Sequence, residues 1–328
     1  MAEMKYWQAI NNALREEMQR DPSVILFGED VGKAGGPFGA SRGLRDEFGA
    51  LRVRDTPISE LGIVGAAVGA AMTGLRPVVE IMFFDFITLA MDQLVNQAGK
   101  MRYMSGGEYS VPLVVRTLCG AGRGSGPQHS QNFEAWLAAV PGLRVVCPGT
   151  PADARDMLKA AIRCDDPVIV VESSRLWTQR GEVGDSDSLT SLDKGNVVRP
   201  GSDITLVSWG WALSRTLEAA AELAEIGVDA EVIDLRTLAP LDEDLIVASV
   251  SRTGRLLIVQ DAPGPFGAGA EIAAIAGERA FGALRAPIER LTPPFAPVPF
   301  PSHLENHFYP QADAIARAAQ RILGGTSG

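Results

Sequence analysis

Short, mostly apolar runs recur down this chain, most of them followed by a stretch of helical length, and that rhythm limits the fold more than any other feature. Residues 24–27 are continuously apolar, and 77–82, 111–117, 143–147 and 167–172 are mostly so, as expected of strands buried on both faces. Residues 87–103 and 151–163 read as helices between them, and residues 1–19 as a surface helix with Trp7, Ile10 and Leu14 on one side. A second series places strands over 204–208, 228–234, 255–259 and 288–291. Its helices fall over 212–225, 242–251, 267–281 and 312–323. Strands alternating with helices imply a parallel sheet covered on both faces. The expected class is α/β, with one domain over 1–180, a linker over 181–199 and a second domain over 200–328. Gly181, Gly184, Asp185, Ser186, Asp187 and Ser188 crowd together in that linker.

Composition narrows the partners. Asp plus Glu number 40 against 30 Lys plus Arg, a net charge of −10, and no basic cluster stands out, which argues against nucleic acid or an anionic membrane surface. Apolar runs stop well short of a membrane span, and no signal peptide opens the chain. Cys119, Cys147 and Cys164 are far apart in sequence, as expected of reduced core cysteines in a cytoplasmic protein.

The densest chemical signal is Asp55–Thr56–Pro57–Ile58–Ser59–Glu60, together with the apolar stretch that runs on from Leu61. Pro57 holds Thr56 extended, and Ser59 can cap a helix whose first turn carries Glu60. That helix is apolar nearly all round and is therefore expected to be buried, so a carboxyl at its mouth needs a partner. Gly62, Gly65 and Gly69 recur on it at spacings of three and four, although glycine costs roughly 1 kcal/mol against alanine inside a helix. A close packing partner or a ligand is the physical reason to keep them.

Three other patterns have functional and structural readings. Gly120 to Gly126 is glycine-rich and follows a strand, but lacks the G-x-G-x-x-G spacing; it reads as a loop delivering Gln128–His129–Ser130–Gln131 to a site. His303 and His307 flank Glu305 with metal-ligand spacing, yet the prolines upstream argue against a regular helix there. Met82, Phe83, Phe84 and Phe86 are core residues or the wall of a pocket for a flat ring.

The string Asp55 to Glu60, Gly74–Leu75–Arg76–Pro77, Gly28–Glu29–Asp30, Arg102–Tyr103–Met104–Ser105–Gly106–Gly107, Gln128–His129–Ser130–Gln131 and Asp234–Leu235–Arg236–Thr237–Leu238–Ala239–Pro240–Leu241–Asp242 together resemble one family. It is the β subunit of the thiamine-diphosphate-dependent decarboxylase component of 2-oxo acid dehydrogenase complexes, and the likeness runs nearly full length. The resemblance implies a transketolase-type pyrimidine-binding domain followed by a transketolase C-terminal domain. It places Glu60 on N1′ of the cofactor's aminopyrimidine, with Glu29, Ile58, Met82 and Phe86 around the ring. It also places His129 at the site mouth, assisting acyl transfer to the lipoyl group. A potassium ion held by main-chain oxygens would match Leu113, Ala161, Ile162, Cys164 and Asp166.

The G-D-G…N motif that grips the Mg²⁺ of thiamine diphosphate does not occur in the chain. The resemblance therefore implies an α subunit that holds Mg²⁺ and the diphosphate in an α2β2 heterotetramer, and a dihydrolipoyl acyltransferase core as acceptor. The expected reaction is oxidative decarboxylation of pyruvate or a branched-chain 2-oxo acid. Acetoin dehydrogenase shares the same motifs and is the near alternative. A non-catalytic scaffold is disfavoured by retention of Glu60 and His129, and a split transketolase by the small number of histidines, three in all.

Overall fold

Six parallel strands and one strand borrowed from the second half form the sheet that positions everything else. The computed structural model describes residues 2–120, 122–185 and 187–324. Met1 of the expected first helix, Ala121 of the glycine loop, Ser186 of the linker and the last four positions of the second domain lie outside the described residues.

The chain opens with strand β1 (Ala2–Lys5) and helix α1 (Tyr6–Arg20). It continues through β2 (Val24–Gly28), α2 (Leu44–Phe48), β3 (Val53–Asp55), α3 (Glu60–Met72) and β4 (Arg76–Ile81). Next come α4 (Gly99–Met104), β5 (Val114–Cys119), α5 (Glu134–Ala138), β6 (Arg144–Val146), α6 (Pro151–Arg163) and β7 (Val168–Ser173). Strands β8 (Arg180–Val183) and β9 (Asn196–Arg199) precede the second unit: β10 (Ile204–Ser208), α7 (Ala212–Glu225), β11 (Ala230–Asp234), β12 (Thr237–Ala239), α8 (Glu243–Thr253), β13 (Leu256–Val259), α9 (Ala268–Arg279) and β14 (Glu289–Leu291). Helices α10 (Ser302–Phe308) and α11 (Ala312–Gly324) finish the chain.

The large sheet runs β12-β6-β7-β5-β4-β2-β3, with β12 antiparallel on its edge, and the smaller one runs β14-β13-β10-β11-β9. Alternation along each strand divides its side chains between two cores. Leu26, Val78, Val114 and Val170 pack under α1 and α6. Ile25, Phe27, Val79, Ile81, Val115 and Ile169 face α3 and share one continuous core with Val207, Ile233 and Ile258 of the second sheet. Each such fully buried aliphatic side chain contributes about 1.5–3 kcal/mol. Helix starts follow their caps: Thr150 accepts the Asp153 N–H and precedes Pro151, and Asp242 accepts the Leu245 N–H.

Several expectations need correction. The first residues form β1, paired antiparallel with β8, and the helix begins only at Tyr6. The stretch read as a linker over 181–199 begins in β8 of that ribbon and ends in β9 of the second sheet, with no regular element between them among the described residues. The helix expected over 87–103 is broken into a 3₁₀ segment (Phe84–Ala90), a π segment (Gln93–Ala98) and α4. The Gly99 N–H reaches the Leu94 carbonyl. A Cβ on Gly142 would stand 1.9 Å from the Gly99 carbonyl oxygen, so tertiary contact sets the break. Helix α3 is buried on one face only: Ile63, Val64, Ala67 and Val68 face the core, while Leu61, Gly62, Ala66 and Gly69 are exposed.

Candidate active site

Every strand of the parallel sheet that bears on the site delivers a residue from its carboxyl end, where open α/β sheets place ligands. Glu29 follows β2, Glu60 follows β3, Met82 follows β4, and the loop after β5 carries His129. Ser59 caps α3 by accepting the Gly62 N–H at 3.3 Å, which leaves Glu60 in the first turn. The Glu60 side chain is only 5% exposed. No hydrogen bond or ion pair to it is found among the described residues. Glu29 is buried nearby. Burial raises its carboxyl above the usual range, and the charges of Glu60 and then Asp30 push it further the same way. Two acids thus lie close enough to influence each other, and neither is paired with a cation among the described residues.

Aromatic rings wall the same end of the sheet. The Phe83 and Phe86 rings meet the His129 imidazole edge-on, at 5.0 and 5.2 Å between centroids. Phe38 packs edge-on against Phe83 at 5.4 Å, and the Arg123 guanidinium lies 4.5 Å over the Phe38 ring. Phe84 turns away into the core against Phe133. Met82 and Phe86 are half-buried, whereas Ile58 stands 82% exposed on the open side. A cavity of about 480 Å³ runs from Thr56 and Pro57 along Gly62 and Ala66, so the small-residue face of α3 is open in this chain.

The loop between β5 and His129 is tightly specified. A Cβ on Gly120 would lie 1.7 Å from the His129 carbonyl oxygen, so only glycine allows the two ends of the loop to touch. Buried Asp85 accepts the Gln131 N–H at 3.2 Å and the Gln131 side-chain amide at 2.7 Å, fixing the chain just after His129. At the other end, Glu305 of α10 accepts the Gly122 and Gly124 N–H groups at 2.6 and 3.1 Å. Behind the strands, Arg116 bonds bidentately to Glu172 at 2.7 and 2.9 Å and to Glu80 at 2.7 Å. Burial opposes the Arg116 charge, but the two carboxylates outweigh it and raise its pKa.

Known proteins share both halves of this architecture. Residues 2–179 match the family model described as "Transketolase, pyrimidine binding domain", and residues 193–315 match "Transketolase, C-terminal domain". The chain is 46% identical over 327 residues to the acetoin:2,6-dichlorophenolindophenol oxidoreductase subunit beta of Cupriavidus necator, covering 97% of this chain and 96% of that one. It is 46% identical over 323 residues to a mitochondrial pyruvate dehydrogenase E1 component subunit beta-2 of Oryza sativa, covering 97% and 86%. To the pyruvate dehydrogenase E1 component subunit beta of Bacillus subtilis it is 42% identical, covering 98% and 99%. The chain belongs to this family of dehydrogenase E1 β subunits. A split-gene transketolase with 22% identity superposes with a TM-score of 0.81 over 98% of both chains and shows the same fold.

As an E1 β subunit, the chain is one part of an oxidoreductase that acts with an α subunit. Of the residues singled out in sequence, the structure brings Glu29 and Glu60 together, and Phe86 with His129. The main-chain oxygens matched to a potassium site lie at the opposite end of the sheet. There Arg76 donates to the Ile162 and Cys164 carbonyls, both at 2.6 Å. The Leu113 carbonyl accepts the Val168 N–H, the Ala161 carbonyl accepts the Cys164 N–H, and the Asp166 carboxylate pairs with Arg102 and Arg144. His303 and His307 sit on the regular helix α10, contrary to expectation, because Pro301 occupies its N-cap position and so costs no helical hydrogen bond. Both histidines are exposed, and no metal-binding group of three or more ligands occurs among the described residues. Sequence reasoning missed Asp85 and the role of Glu305. An acid set between Phe84 and Phe86 in an apolar run was the available signal for the first.

Proposed function

We propose that this chain supplies the aminopyrimidine half of a thiamine-diphosphate site, in a dehydrogenase acting on pyruvate or a branched-chain 2-oxo acid with acyl transfer to lipoamide. The observation that carries the reading is the buried carboxyl of Glu60 at the mouth of α3, which has no partner among the described residues. The residue is almost covered while its unpartnered carboxyl oxygens keep a little access, so a ring nitrogen placed there would reach and satisfy them. The bound cofactor would supply an electron sink at the substrate's 2-oxo carbon. Glu60 would hold a proton at the N1′ position, and Glu29, kept toward its neutral form by burial and by Glu60, would limit like-charge repulsion in the pocket. Met82 and Phe86 would exclude water from the ring face, and exposed Ile58 would be covered by the ring and the partner subunit. His129, at the aromatic rim, would serve the lipoyl group at the mouth.

The missing diphosphate motif supports an α subunit that holds Mg²⁺ and the diphosphate, and the open small-residue face of α3 suits close packing in an α2β2 assembly on a dihydrolipoyl acyltransferase core. A potassium ion on the Leu113, Ala161, Ile162, Cys164 and Asp166 oxygens belongs to the same proposal, since a carbonyl has a second lone pair beyond the one its donor takes. The domain limits 1–180 and 200–328 and a cytoplasmic setting complete it. No helix among the described residues is long and apolar enough to cross a membrane. Acetoin is a second substrate reading, favoured by 46% identity to a relative named for it.

The test is turnover by the chain reconstituted with its α subunit, on pyruvate, branched 2-oxo acids and acetoin in parallel. One substrate class should dominate, and Glu60→Gln should lower its turnover by about 10³-fold or more while leaving the assembly intact. Near-normal turnover by Glu60→Gln removes the reading.

A further inference from the structure

Within the alternating triplet His303, Glu305, His307, the two histidines face solvent while Glu305 is completely buried. Its carboxylate crosses from the second half of the molecule to the first and accepts both the Gly122 and the Gly124 N–H. Arg175 stands 3.9 Å from its second oxygen, is tied to Asn306 at 2.6 Å, and lies 5.0 Å over the Trp211 ring. Gly122 has φ +100°, and a Cβ there would fall 1.8 Å from the Arg175 Nε. Glycine at 122 is therefore what lets the arginine and the carboxylate close on the backbone together. Two N–H groups on one buried carboxylate make a strong, directional clamp. Without such a clamp, a glycine-rich loop has many conformations of nearly equal energy.

We infer that Glu305 is a positioning residue for acyl transfer: reaching over from the C-terminal half, it fixes the shape of the loop that presents His129. The inference rests on the reading of His129 given above. The carboxylate sets one end of the loop, the Gly120–His129 backbone contact closes it, and Asp85 holds the exit at Gln131. Shape, rather than charge at the reacting atoms, is what Glu305 supplies.

Hydrogen–deuterium exchange on the full-length chain tests the clamp directly. In Glu305→Gln, which loses one acceptor oxygen, the amides of Gly122 and Gly124 should exchange at least about tenfold faster than in the parent, with melting temperature recorded alongside. Glu305→Asp keeps the charge and should restore part of the protection. In the enzyme reconstituted with its α subunit, Glu305→Gln should keep decarboxylation with an artificial electron acceptor within about twofold and lose lipoyl acylation by about tenfold or more. Unchanged exchange at Gly122 and Gly124, or equal loss of both half-reactions, overturns the inference. So does faster exchange with both half-reactions intact. His129→Ala run beside it separates the two readings: if it leaves acylation intact while Glu305→Gln alters exchange and acylation, the role of His129 falls and the clamp stands.

Discussion

Glu134 shows how far a single buried acid can couple this molecule to pH. It begins α5, directly after the His129 loop, and among the described residues its only side-chain donor is the Trp209 indole, at a long 3.4 Å. One carboxyl oxygen is buried with no partner. Burial pushes its pKa up to about 7 from an ordinary 4.5, against the pull of its backbone and Trp209 hydrogen bonds. The folded state therefore holds a proton that the unfolded chain has released, and stability falls as pH rises from about 4.5 to about 7. Glu134→Gln should be more stable than the parent at about pH 8, by on the order of 3 kcal/mol, and equal to it at about pH 4. Urea unfolding at the two pH values measures this, and a pH-independent difference contradicts it. Nothing in the sequence marked Glu134, because desolvation depends on which strands and helices close over a residue. Glu60 was legible by contrast, since its cap, its proline and its glycines are all neighbours in the chain.

Elements whose identity is set locally were legible, and those set by contact were not. Strand β10 and helices α6 and α7 fall where continuous apolar runs, or a capped helical period, put them. Strands β1 and β8 are short, with only Val183 buried, and exist because they pair with each other. The broken helical segment after β4 answers to Gly142 pressing on Gly99, forty-odd positions away in the chain. The loop from Gly120 to His129 was read as a carrier of the histidine, which the fold sets against Phe83 and Phe86, but its closure was invisible before the fold. Gly120→Ala tests that closure. A methyl placed 1.7 Å from the His129 carbonyl must push the loop open. A shift of about 1 Å at His129 should cut lipoyl acylation by on the order of 10²-fold, with decarboxylation and melting temperature less affected. Acylation at the parental rate would show that the loop relaxes without consequence.

At the scale of the molecule, the proposed site is built from one side only. Acids and aromatic rings gather at the strand ends, while the glycine face of α3 and the neighbouring cavity stay open to a partner. The chain alone should therefore bind thiamine diphosphate with Mg²⁺ at least about 100-fold more weakly than the pair with its α subunit, a difference of about 2.7 kcal/mol. Titration calorimetry on both preparations measures it, and equal affinities would place the diphosphate grip in this chain.

The sheet of the first half is completed by Thr237–Ala239, which follow the whole of the second half's first βαβ unit. During synthesis, the β6 edge must wait for some ninety further residues before its ladder is covered, and an uncovered edge invites pairing with other chains. Cutting the gene between the halves would leave the amino-terminal fragment sticky and the carboxy-terminal one with a dangling ribbon. Severing this protein between its halves would thus yield an amino-terminal piece without the strand that covers its edge and a carboxy-terminal piece carrying that strand with nothing to pair it.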